Sequence, residues 1–208
     1  MNALAKPEVG EFLNKYFVSS FQRVGTFRIT QRNQKQGGNV ATYFCAPDGR
    51  VIHAIAGPVK ADQFLEEARW AVAVAKEVVA KSQGDAAKFK ALLRRAHATR
   101  LEERYGVRVT AFATDQAPHT LRTAIYRDTE GRRLAPVLSL PPVEGGGARV
   151  AGRQAQVHRL LAGHALAPIE ELYGAVFTGI LGERVSTKPV QAPTPFPGAA
   201  LESSVVPK

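Results

Sequence analysis

The stretch VATYFCAPDGRVIHAIA, residues 40–56, constrains the fold of this chain more than any other. Two runs of β-branched, aromatic and small apolar residues flank the sequence APDGR. In that turn Pro47 presets φ, and Gly49 supplies the positive φ that a bulged hairpin needs. The sequence therefore predicts an antiparallel hairpin whose strands span 40–45 and 51–56.

Helical periodicity flanks this hairpin on both sides. Residues 6–17 place Pro7 at a first helical position and continue with apolar residues at helical spacing, which predicts a short amphipathic helix. After the hairpin, Asp62 is predicted to cap a second helix. Its apolar stripe comprises Phe64, Leu65, Ala68, Val72, Ala75 and Val79. Trp70 lies off this stripe, so we expect its side chain to meet another element.

A third predicted helix carries the densest positive charge of a chain whose formal net charge is +10. Asp85 is its expected N-cap and Gly106 its expected end. Its basic residues are Lys88, Lys90, Arg94, Arg95, Arg100 and Arg104. These six side chains are the predicted surface for a partner or an anion. Nucleic acid, held through its phosphates, is one such partner, and a merely solvated helix face is the alternative.

The order of helix, extended segment, hairpin with a Pro-Asp-Gly turn, Gly-Pro and helix resembles the C-terminal half of a thioredoxin-like domain. EVGEFLNKYFVSSFQRV is similar to the passage from the central helix of such domains into an inner strand. GNVATYFCAPDGRVIHAIAGPVKADQFLEEAR is similar to their hairpin and terminal helix. The resemblance covers residues 7–80 and implies a thioredoxin-like scaffold over that part of the chain.

The features that carry redox chemistry in this family do not match. Cys45 is the single cysteine of the sequence, so a Cys-x-x-Cys motif is absent. Val40 stands where the family usually has a cis-proline. Two interpretations follow. The chain is a divergent domain that kept a scaffold and lost its thiols, or the missing strand, helix and cysteines are encoded upstream of Met1.

The sequence as a whole predicts the α/β class, with an incomplete or divergent thioredoxin-like domain followed by a helical C-terminal extension. Composition and periodicity divide the chain into four segments. They are the partial thioredoxin-like domain 1–82, a basic helix and mixed segment 83–140, a helical region 141–185 and a disordered Pro-rich tail 186–208. Within the helical region, RQAQVHRLLAGH and APIEELYGAVFTGILGERV predict two helices.

Candidate catalytic and metal-binding side chains are few. Cys45 lies within a strand without an activating cation, which favours a buried structural cysteine over a dyad with His53. His158 and His164 stand six residues apart, on different faces of a helix, with no thiol or carboxylate at ligand spacing. The sequence therefore predicts no catalytic residue, no metal site and no cofactor.

The predicted function is that of a redox-inactive thioredoxin-like domain protein that acts through contacts with an unidentified protein partner. No apolar run reaches the about 18 residues that a membrane span needs, and a cytoplasmic location is favoured if Met1 is the true start. Two alternatives stay open. One is a truncated thiol-disulfide oxidoreductase whose Cys-x-x-Cys lies upstream of Met1. The other is non-specific nucleic-acid binding by the basic helix, residues 85–105.

Overall fold

The computed structural model describes residues 3–25, 28–29, 35–110, 138, 140–144, 152–183, 185–186 and 190. Its helices are α1 (Pro7–Tyr16), α2 (Ala61–Ser82), α3 (Ala86–Tyr105), α4 (Arg153–His164) and α5 (Ile169–Gly174). A 3-10 turn at Ala3–Ala5 precedes them, and a π-helical segment at Ala175–Ile180 follows. The strands are β1 (Arg28–Ile29), β2 (Lys35–Gln36), β3 (Ala41–Cys45) and β4 (Val51–Ala56). This mixture of helices and strands agrees with the general α/β class that the sequence predicts.

The predicted hairpin is confirmed by β3 and β4, which pair antiparallel. Phe44 lies opposite His53, and a bulge follows between Phe44 and Cys45. Gly49 closes the turn with a φ of +81°, a conformation that glycine adopts without steric cost. β1 and β2 form a separate two-stranded pair.

Helices cover both faces of this hairpin. On one face, Phe44 and Ile55 pack against α1 and α2 in a cluster that also contains Val9, Phe64, Leu65, Ala68 and Ala71. On the other face, β4 packs against α4, α5 and the π-helical segment through Val51, Ala54, Ala56, Val157, Leu160, Leu161, Leu172, Ala175 and Val176. The hairpin is therefore the middle of three layers, because alternate residues of its strands serve two cores.

The start and the buried face of α2 differ from the sequence prediction. Lys60, not Asp62, occupies the N-cap position, and its N–H donates to the side-chain oxygen of Gln63. In the second half of the helix the buried apolar residues are Ala71, Val74 and Val78, whereas the predicted stripe runs through Val72, Ala75 and Val79. The buried face shifts around the helix because this half packs against Leu93 of α3 and Leu166 as well as against Ile52 of the hairpin. Val79 is 59% exposed as a result.

The predicted ends of α3 are confirmed. The side chain of Asp85 accepts a hydrogen bond from the Lys88 N–H at 2.9 Å, and Gly106 ends the helix with a φ of +66°. The buried residues of α3 are Leu93, His97 and Leu101, which follow one another at intervals of four. None of the described helices is long and apolar enough to cross a lipid bilayer.

The capping bond gives a testable stability effect. Asp85→Ala removes the acceptor at the start of α3 and is expected to lower the free energy of unfolding by ~1 kcal/mol. Asp62→Ala is the matched control, because Asp62 lies in the first turn of α2 and is not its cap; it is expected to cost about 0.3 kcal/mol. Urea denaturation of both variants measures the difference. Equal losses would contradict the capping role.

The C-terminal region begins as predicted with a helix over Arg153–His164. The second predicted helix is shorter and less regular, since α5 passes directly into the π-helical segment and the helical conformation ends at Ile180. Ser186 and Val190, inside the predicted tail, are buried, and their N–H groups donate to the carbonyls of Val24 and Arg23. The rest of that tail, residues 187–189 and 191–208, lies outside the described residues.

Candidate metal centre

Three buried histidines from three different elements meet on the α2 side of β4. His53 lies on β4, His97 on α3 and His158 on α4, and each is 0% exposed. One ring nitrogen of each lies within 4.8 Å of those of the other two. α2 adds Glu67, which is buried, and Trp70, whose ring contacts all three imidazoles. We call these five residues the histidine cluster.

Local sequence places each imidazole on a buried face. His97 follows Leu93 and precedes Leu101 by four residues, so it shares their buried side of α3. His158 lies among the buried residues of α4, next to Val157. His53 lies on β4 directly opposite Phe44 of β3, so both side chains point to the same face of the hairpin, and their rings stack. The three side chains converge because α2 and α4 both contact β4, while α3 packs against α2 and α4.

The hydrogen bond of His97 fixes its tautomer. Its Nε2 lies 2.9 Å from the carbonyl oxygen of Ile52. A carbonyl oxygen only accepts, so Nε2 carries the hydrogen and Nδ1 carries a lone pair. That Nδ1 points at Nδ1 of His158, at a distance of 3.0 Å.

His158 faces an acceptor on each side. Its Nδ1 meets the lone pair of His97, while its Nε2 lies 3.5 Å from Oε2 of Glu67 and is buried without a hydrogen bond among the described residues. A neutral imidazole has one N–H and satisfies one of the two. If the hydrogen is on Nδ1, the bare Nε2 is left beside a carboxylate. If it is on Nε2, two lone pairs face each other at 3.0 Å, and only a cation between them makes that contact favourable.

His53 has one occupied and one unpaired nitrogen. Its Nε2 lies 2.9 Å from Oε2 of Glu67, a distance at which the ring N–H donates to the carboxylate. Its Nδ1 is buried and has no hydrogen-bond partner among the residues that the structure describes. An unpaired buried nitrogen costs free energy unless something binds it. The amide of Gln154 packs beside this contact, with Nε2 3.2 Å from His53 Nε2 and 2.9 Å from the Ala54 carbonyl oxygen.

The Trp70 ring contacts the three imidazoles and also Arg100. The Trp70 ring lies edge-on to His53, His97 and His158, with centroid distances of 4.8, 4.9 and 5.0 Å. The Arg100 guanidinium lies over the same indole, 5.6 Å from its centroid. This contact confirms the expectation that Trp70 meets another element.

Burial keeps the imidazoles neutral. It lowers the pKa of His53, lowers that of His97 well below its ordinary value, and lowers the pKa of His158 to about 4. Burial alone would raise the pKa of Glu67, but the neighbouring His158 and His53 outweigh it and lower that pKa. At neutral pH the cluster therefore consists of three neutral imidazoles and one carboxylate, the protonation states in which these groups bind metals.

The sequence alone does not predict this site. His158 and His164 are predicted to lie on different faces of a helix, and His164 is indeed outside the cluster, partly buried at the end of α4. The partners of His158 are instead distant along the chain. Cys45 is adjacent to Phe44 on β3 and so points to the opposite face from His53, where it packs with the cluster around Val51. Burial, followed by Asp48 and Glu170, raises the pKa of the Cys45 thiol, as expected of a structural cysteine.

The six predicted basic residues do not act alike. Lys88 and Arg95 are exposed, and Lys90 and Arg94 are partly buried. Arg100 and Arg104 both donate to Glu66 of α2, so they join α2 to α3. Anion binding by this set stays a prediction.

Comparisons with protein-family models, with curated proteins and with solved structures found no match for this chain. The class of site is therefore inferred from the atoms that could bind a metal, the ring nitrogens of the three histidines. Three imidazoles suit zinc, copper, iron and nickel, and they are poor ligands for magnesium and calcium. The histidine cluster has the donor set of a transition-metal centre.

Proposed function

We propose that this protein binds one transition-metal ion, with Zn²⁺ as the first candidate, through His53, His97 and His158. The observation that carries the proposal is the 3.0 Å approach of two Nδ1 atoms, those of His97 and His158, whose imidazoles are fully buried. Two imidazole nitrogens on one tetrahedral zinc lie about 3.3 Å apart, given Zn–N distances of about 2.0–2.1 Å. A shift of a few tenths of an ångström is enough to admit the ion.

A bound cation would also satisfy the remaining polar atoms of the cluster. It would take up the lone pairs of His97 and His158 that face each other, and it would let His158 turn its Nε2–H toward Glu67. The Glu67 carboxylate supplies a negative charge beside the ion, which reduces the cost of burying it.

The proposed role of the ion is to hold the fold together. Its three ligands come from β4, α3 and α4, and no two of them share an element. The unfolded chain would not bring these ligands together, so the free energy of metal binding would add to the free energy of unfolding.

The proposal is tested by titrating the chelator-treated full-length chain with Zn²⁺ in a calorimeter and with Co²⁺ in an absorption spectrometer. One equivalent is expected to saturate the site. Free Zn²⁺ at 1,000 times its Kd is expected to stabilise the fold by about 4 kcal/mol. His164→Gln is the matched control and should bind the same single equivalent. Absence of saturable binding at one equivalent, or its loss in His164→Gln, would overturn the proposal.

A redox-inactive thioredoxin-like domain that acts through protein contacts is kept as a second proposal. The environment of Cys45 supports this second proposal. Its side chain packs against the apolar cluster that contains Val51, and burial raises the pKa of its thiol. The likeness of residues 7–80 to the C-terminal half of a thioredoxin-like domain belongs to this same proposal. No contact among the described residues supports nucleic-acid binding. Arg100 and Arg104 pair with Glu66, which reduces the positive charge that α3 could offer to phosphates.

A further inference from the structure

Glu67 lies at the outer edge of the histidine cluster and contacts two of its three imidazoles. Its Oε2 is 2.9 Å from Nε2 of His53 and 3.5 Å from Nε2 of His158. Its Oε1 is turned the other way, 4.0 Å from the guanidinium nitrogens of Arg100 and Arg104. The carboxylate therefore stands between the imidazoles and the surface arginines.

A carboxylate in this position has two possible relations to a metal. It either binds the ion directly, as a fourth ligand on the Nε2 side of His53 and His158, or it accepts the Nε2–H groups and leaves the ion to the other nitrogens. Gln154 decides between them. Its Nε2 lies 3.2 Å from His53 Nε2 and 3.4 Å from Glu67 Oε2, and it donates to the Ala54 carbonyl. The space beside Oε2 is thus occupied by an N–H₂ donor, whose positive hydrogens repel a cation.

The other ring nitrogens also favour a carboxylate that accepts N–H groups and does not bind the ion. His97 has its Nε2–H on a carbonyl oxygen and its Nδ1 free, and His53 has its Nε2 on the carboxylate and its Nδ1 unpaired. His158 repeats the pattern, with Nε2 toward Glu67 and Nδ1 toward His97. In all three rings Nε2 faces an oxygen, and Nδ1 is left for the ion.

We infer that Glu67 is a positioning residue of the metal centre, which fixes His53 and His158 with Nδ1 toward the ion while its carboxylate stays outside the coordination sphere. This inference rests on the proposed function. Arg100 and Arg104, which donate to Glu66, lie 4.0 Å from the second oxygen of Glu67, and their positive charge favours this orientation of the carboxylate. The centre then has three protein ligands, all of them imidazole.

Carboxylates that orient metal-bound histidines are worth about 10–100-fold in metal affinity, and we expect Glu67→Gln to lose affinity for Zn²⁺ within this range. The Co²⁺ absorption bands of that variant should keep their positions and intensities, because the ligand set is unchanged. Glu67→Ala should lose more than Glu67→Gln, since the amide oxygen of glutamine still accepts an N–H. Glu77→Gln on the same helix is the matched control, because it removes an exposed carboxylate whose partner among the described residues is Lys81, and it should bind Zn²⁺ like the wild type.

A second measurement needs no metal. In ¹⁵N spectra of the metal-free wild-type protein, His53 and His97 should both be Nε2–H tautomers, and in Glu67→Gln the proportion of this tautomer at His53 should fall. A wild type that binds no metal but shows these tautomers would overturn the proposed function and leave the orienting role of Glu67 supported. An Nδ1–H tautomer at His53, a changed Co²⁺ spectrum in Glu67→Gln, or unchanged affinity in that variant would overturn the inference itself. If Glu67→Ala does not fold, the glutamine variant alone decides.

Discussion

Replacement of His97 by glutamine is expected to lower the affinity for Zn²⁺ by about 100-fold or more. Structural zinc sites bind with about 10–16 kcal/mol, so each of three or four ligands contributes about 3 kcal/mol. His97 is the ligand whose free nitrogen is best defined, because its Nε2–H is held by the Ile52 carbonyl. The amide N–H₂ of glutamine can still donate to that carbonyl, so we expect the loss to fall on metal binding more than on folding.

Competition with a chromophoric chelator measures this affinity directly. His164→Gln is again the control, since it makes the same chemical change on α4, outside the cluster, and it should compete like the wild type. Wild-type affinity in His97→Gln would show that zinc, if bound, is held elsewhere. A loss of equal size in the control would show that the substitution acts through the fold.

Acidification of the metal-free protein is expected to lower its free energy of unfolding by about 3 kcal/mol between pH 6.5 and pH 4 through His158 alone. Burial lowers the pKa of this imidazole in the folded state from 6.5 to about 4. Between these two values the unfolded chain binds a proton that the folded chain excludes. The stabilisation is therefore fully present above pH 6.5 and is lost as the pH falls toward 4.

The other members of the cluster act in the same direction. Burial also lowers the pKa of His53 and of His97, so each adds to the loss below pH 6.5. The lowered pKa of Glu67 adds a further loss as the pH falls below 4.5, because its ionised form is the one that the fold favours. No group of the cluster offsets the effect.

Urea denaturation of the chelator-treated protein at a series of pH values from 7.5 to 4 measures this dependence. His158→Gln is expected to reduce this dependence by the share of His158, because glutamine does not titrate, while His164→Gln should keep the wild-type slope. A free energy of unfolding that is constant or rises toward pH 5 would contradict the neutral, buried state of these imidazoles.

The parts of the fold that the sequence predicts are those with local causes. The hairpin follows from a turn in which glycine takes a positive φ, and the ends of α3 follow from Asp85 and Gly106. These features depend on residues that are adjacent in sequence, so no tertiary information is needed. The buried face of α2 is different. Val79 has the right spacing for the core but is exposed, because the packing partner of that half of the helix is α3.

The histidine cluster could be predicted only in part. Each of its histidines interrupts an apolar pattern, since His53 lies within VIHAIA, His97 lies between Leu93 and Leu101, and His158 lies within a run of buried residues. A histidine on a buried face is a signal that can be read from sequence. The sequence does not show which of these histidines meet in space. Metal-ligand spacing rules describe neighbours along the chain, and His97 and His158 are 61 residues apart.

This separation has a consequence for the topology of the chain. A metal ion held by the three histidines would act as a crosslink that closes two long loops, one of them the 61-residue connection between His97 and His158. Closing a loop of this size in the unfolded ensemble removes conformational entropy, which is the effect usually ascribed to a disulfide. A chain with one cysteine has no disulfide of its own. Three imidazoles and an ion would give it a covalent-like constraint that a chelator can remove and a metal salt can restore.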